Sequence, residues 1–123
     1  MTRLLIALAA LFAAATAAPA FAESAVVRGL DKITGHARDY VLPIGRSTRI
    51  GTLEVIARSC WKSAPEDTPE VKIFVDVFDH PPTAETEEEA RVDLFHGWLF
   101  ASSPSISAIE HPYYDLWAID CRG

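Results

Sequence analysis

Val71-Lys72-Ile73-Phe74-Val75-Asp76-Val77-Phe78-Asp79 alternates without a break. Val71, Ile73, Val75 and Val77 take one side, and Lys72, Phe74, Asp76 and Phe78 the other, the period of two that marks a strand. One face reads as buried and the other as half-buried. Upstream, Thr52 to Lys62 is a second strong strand, with Leu53, Val55, Ala57, Ser59 and Trp61 on one face. Glu54, Arg58 and Lys62 share its other face with Ile56 and Cys60. Between the two strands, Ser63 to Glu70 is a proline-bounded acidic loop. Downstream, His80-Pro81-Pro82 ends the strand, and the Glu-rich run from Thr83 to Ala90 reads as a solvated hairpin tip. Val92 to Ala101 is the next strand, with Leu94, His96, Trp98 and Phe100 on one face and Phe95 and Leu99 on the other. Gly97 within it marks a bulge or a close backbone approach.

Further out the pattern repeats in shorter pieces. Ala25 to Leu30, Arg38 to Ile44 and Arg46 to Ile50 read as strands separated by glycine-bearing turns, and Pro43 assigns the second to an edge or a bulge. Ser103 and Pro104 match a helix cap and first position, for a helix of about two turns that Pro112 ends near His111. Tyr113 to Cys121 is the last strand, with Leu116 and Ala118 opposite Trp117, Ile119 and Cys121. The expected fold is therefore mainly β: a small antiparallel sandwich or barrel of six to seven strands with at most one short helix. Strand order stays open at this level.

The amino terminus carries an address. Arg3 precedes an alanine-rich apolar run from Leu4 to Ala18, and Ala20-Phe21-Ala22 has the small-x-small pattern of a signal-peptidase site. The expectation is a signal peptide over residues 1–22, general secretory export, and one domain over residues 23–123 working in the periplasm. Of 11 basic and 17 acidic residues, only Arg3 leaves with the leader, so the mature part has 10 against 17, a formal charge of −7. That balance, with cations scattered singly, argues against nucleic acid and anionic membrane surfaces. No second apolar segment is long enough to span a bilayer, so the mature form is not expected to cross one. Both cysteines, Cys60 and Cys121, fall in the exported part, where an even count reads as a disulfide.

Chemistry is less legible than address. Glu110, Asp115, Asp120 and Asp93 offer carboxylates for a glycosidase, and Ser102 or Ser103 with His111 and Asp115 would compose a triad. No spacing selects a pair, and no G-x-S-x-G elbow occurs. His80, His96, His111 and Glu110 lack the spacings of a metal site, so neither metal nor cofactor is expected. His96, beside Leu94 and Trp98, reads as a core histidine. Trp61, Trp98, Trp117, Tyr113 and Tyr114 are core residues or, where exposed, anchors for sugar rings or a protein partner. Trp98, Trp117, Tyr113 and His111 form the candidate binding patch, for an envelope protein or a glycan. A small hydrolase of cell-wall glycan or peptide is the alternative.

Several segments carry a resemblance. They are Leu30 to Gly35, Cys60-Trp61-Lys62 with the Pro65 to Pro69 loop, Gly97-Trp98-Leu99-Phe100-Ala101-Ser102-Ser103-Pro104, and Ala108 through Trp117 to Cys121. Together they resemble the domain-of-unknown-function family 2155, found in exported proteins of alphaproteobacteria, over nearly all of the mature chain. The resemblance implies an envelope address and one compact domain. It supplies no catalytic residues.

Overall fold

The alternating segments pair in two antiparallel sheets. In the computed structural model, which describes residues 22–106 and 109–123, seven strands run in chain order: β1 (Ser24–Asp31), β2 (Ala37–Pro43), β3 (Ser47–Ile50), β4 (Leu53–Lys62), β5 (Val71–Asp79), β6 (Val92–Phe100) and β7 (Tyr114–Arg122). One sheet has the order β2-β1-β7 and the other β3-β4-β5-β6. The architecture is the sandwich, and no closed barrel forms. Pro43 ends the edge strand β2, where its missing N–H costs no ladder bond. The expected leader lies largely outside the described residues.

The inner faces fill the space between the sheets. Val27 of β1 and Leu42 of β2 meet Leu53, Val55, Ile73, Val75 and Val77 of the larger sheet, all of them fully buried. Leu116 and Ala118 of β7 complete this layer. Ile50 and Leu53 pair across the two-residue turn Gly51-Thr52. Gly51 has φ 59°, as a primed hairpin turn requires at its first central residue, and a Cβ there would collide with the Tyr114 ring.

Three strands each carry one extra residue, and each corrects an expected face. In β4, Ala57 pairs with Val75 but Ser59 with Phe74, so Arg58 is the bulged residue. Ser59 and Trp61 thereby leave the face of Leu53, Val55 and Ala57 for the outside, while Cys60 packs against the core. In β7, Val26 pairs with Asp120 and Val27 with Ala118, leaving Ile119 extra. Cys121 therefore sits on the core side, opposite Ala25, rather than with Trp117. In β6 the extra residue is Leu94, not Gly97, and Leu94 turns toward the core. Gly97 is the close approach instead, since a Cβ there would lie 3.0 Å from the Phe95 ring. With both bulges in place, Cys60 and Cys121 face each other between the sheets, Cα atoms 5.8 Å apart and disulfide-bonded.

The short helix lies elsewhere than expected. One turn, α1 (Glu87–Ala90), forms in the acidic tip, where the Thr86 hydroxyl accepts from the Glu89 N–H at 3.2 Å. Pro104 to Ile106 instead make a turn closed by the Ile106 N–H on the Ser103 carbonyl, 3.1 Å. The rest of the expected helix is non-helical at Ile109 and Glu110, with 107–108 outside the described residues.

Candidate functional site

The outer face of the larger sheet is built by register. Lys72 on the central strand β5 pairs with Trp61 of β4 on one side and Phe100 of β6 on the other. In the next row Phe74 lies between Ser59 and Trp98. Phe74 and Trp98 meet edge to face, ring centroids 5.3 Å apart. The Lys72 ammonium lies 4.8 Å from the Trp61 ring centre and 6.0 Å from that of Phe100, cation–π distances. Trp61 is 49% exposed and Trp98 38%. Together with Ser59, these side chains line a depression of about 470 Å³.

The other half of the same face is closed by its own charges. Asp76 accepts from Arg58 and bonds His96 Nδ1, both at 2.7 Å. The bond to His96, followed by that to Arg58, holds the Asp76 carboxyl below its usual value of 3.8. The Arg91 guanidinium covers the Phe78 ring at 3.6 Å and reaches Glu54 at 3.3 Å, and His80 Nε2 lies 2.8 Å from Glu54. His96 is thus an outward residue paired with a carboxylate, not a core histidine.

His111 occupies a second place, one end of the sandwich. It is 7% exposed. Its Nδ1 accepts the Tyr113 backbone N–H at 3.0 Å, so Nε2 carries the proton and donates to Asp79 at 3.1 Å. Thr52 donates its hydroxyl to the other Asp79 oxygen at 2.8 Å. In front of this chain lies a cleft of about 510 Å³ lined by Ile33, Pro82, Leu94, Glu110 and Tyr113 among others. Both ring nitrogens are engaged, so His111 has none left to serve as a general base. The Ser102 hydroxyl bonds Glu70, next to the first residue of β5, whereas Asp79 is the last. Nine residues of strand put them roughly 30 Å apart, which separates Ser102 from His111 as a nucleophile–base pair.

The remaining carboxylates and histidines are dispersed in the same way. Asp115 pairs with Lys32 at 3.3 Å and Asp120 with Lys62 at 2.8 Å. His80, His96 and His111 each take a different carboxylate, and no metal-holding cluster of three occurs among the described residues. Of the expected binding patch, Trp98 stands on the outer face of the larger sheet, and His111 and Tyr113 share the end cleft. Trp117 lies on the smaller sheet, paired with Arg28. The four do not form one surface. Trp61, Lys72, Phe74 and Phe100, which do adjoin Trp98, were readable only in part: the second face of Lys72-x-Phe74 was visible, but the Arg58 bulge that turns Trp61 outward was not.

Fold and surface thus define a small two-sheet β domain with a bare aromatic face. The chain belongs to the family described as "Uncharacterized protein conserved in bacteria (DUF2155)", which matches residues 25–121. A protein of Rickettsia prowazekii (strain Madrid E), described as uncharacterized, is 27% identical over 92 residues, covering 75% of this chain. The chain spans 56% of that relative's length. No solved structure matches.

Proposed function

We propose that this chain is an exported envelope domain, released after Ala22 into the periplasm, which binds another envelope component on the outer face of β4, β5 and β6. The observation that carries the reading is the contrast within one sheet face. Arg91, held by Glu54, closes over Phe78 at 3.6 Å, while Trp61 stays about half exposed beside the more distant Lys72 ammonium and Trp98 stays exposed at the rim of the depression. Tryptophans left exposed next to well-satisfied polar neighbours mark a surface kept for contact. The leader pattern and the Cys60–Cys121 bridge support the oxidising compartment.

The test is co-sedimentation of the purified mature domain with isolated cell envelopes. The Trp61→Ala, Trp98→Ala double variant is expected to lose sedimentation, while Trp117→Ala keeps it. Retention by the double variant would overturn the assignment of this face.

A further inference from the structure

We infer that the occupant of the aromatic depression is a glycan bearing carboxylates, an inference that rests on the docking reading above. The sequence has three lysines. Lys32 and Lys62 each hold an aspartate, at 3.3 and 2.8 Å. Lys72 differs: among the described residues no carboxylate lies within 4.0 Å of it, and its ammonium rests between the Trp61 and Phe100 rings. In a chain of net charge −6, this is a cation with no carboxylate in contact, Glu70 acting on it only at longer range, at the centre of a slot lined by three aromatic rings and Ser59. The complementary ligand presents flat apolar faces to the rings and an anion to the ammonium. A pyranose offers both when it carries a carboxylate, its C–H face lying against Trp61 or Trp98 and its anion meeting Lys72 Nζ, with the Ser59 hydroxyl within the same slot. The shape agrees. At about 470 Å³, the depression falls in the range of small-ligand sites, roughly 300–1,000 Å³. A stable protein interface would instead bury roughly 800 Å² of this face, whereas the aromatic slot is narrow and Arg58, Asp76 and His96 pair with one another directly beside it.

The experiment is a calorimetric titration of the oxidised mature domain with trigalacturonic acid and with its methyl ester, in which each carboxylate is replaced by a neutral methyl ester on the same sugar frame. The acid is expected to bind about fivefold more tightly, the size of one solvent-accessible ion pair. Lys72→Met is expected to erase that difference while still binding the ester, and Trp98→Ala to weaken both ligands. Equal affinity for the two trimers, or a preference that survives Lys72→Met, would overturn the role of the carboxylate. Binding of neither trimer at millimolar concentration would overturn the glycan altogether. If the tryptophan double variant still lost envelope sedimentation in that case, the docking face would stand with a protein as its occupant.

Discussion

His111 joins two elements through its ring. Its Nδ1 holds the Tyr113 N–H and its Nε2 holds Asp79, which Thr52 also holds. Removing the ring leaves one oxygen of the part-buried Asp79 carboxylate and the Tyr113 backbone N–H without their partner, while Thr52 keeps the other oxygen, so His111→Ala is expected to cost about 1–3 kcal/mol in urea denaturation. The same variant should leave envelope sedimentation intact, because the end cleft and the aromatic depression have no lining residue in common. Asp76 carries a pH signature. Its carboxyl is held below 3.8 in the folded state, so the fold binds that proton less readily than the unfolded chain does. The resulting stability is fully present above the unfolded value and is lost as pH falls through the folded one. Asp76→Asn should therefore be less stable than the parent near neutrality, by up to about 1 kcal/mol for half-exposed pairs. The gap should close as denaturation is repeated at pH values descending below 3.8. A gap that held constant across that window would contradict the pairing.

Single extra residues decide which way the strands face. Arg58 in β4 turns Trp61 out and Cys60 in. Counting without Arg58, alternation from Leu53 still places Ala57 and Cys60 inward and Trp61 outward. Deleting Arg58 should therefore leave the fold and the Cys60–Cys121 bridge intact, with no free thiol in a thiol-labelling assay. The lost pair with Asp76 costs no more than about 1 kcal/mol. Free thiols in the deletion variant would show that the register of β4 had been misassigned. These bulges also explain what was legible from the residues. β5 has no extra residue, and both of its faces read correctly from Val71 to Asp79. In β4, β6 and β7 apolar residues occupy both faces, so Ser59-Cys60-Trp61 offers little polar contrast, and Ile119-Asp120-Cys121 alternates as if no extra residue preceded Asp120. The helix was misplaced for a related reason. Ser103-Pro104 has the residues of a helix start, but the first turn that formed is the one capped by Thr86, where three glutamates follow the cap and suit the positive end of the turn.

The whole domain depends on a bond between its two sheets. Cys60 and Cys121 lie 61 positions apart and join β4 of one sheet to β7 of the other. In the chain-entropy account such a loop stabilises the fold by about 4 kcal/mol, a large share of what a domain of this size possesses. The Cys60→Ser, Cys121→Ser double variant should lose about that much in thermal and denaturant unfolding. If the chain is exported as proposed, the protein recovered from the periplasm should begin at Glu23 and carry no free thiol, as intact-mass measurement would show. A mainly β fold of six to seven strands, sandwich or barrel, and the Cys60–Cys121 pairing could be read from sequence, because they follow from alternation and an even cysteine count. The assembly of Trp61, Lys72, Trp98 and Phe100 could not, because it needs the order β4-β5-β6 and the bulge at Arg58. The most direct measurement places a photoreactive benzoylphenylalanine at position 61, 98 or 117 in living cells and compares the covalent adducts. The account predicts adducts from 61 and 98 and none from 117. Adducts from 117 alone, or from none of the three, would contradict it.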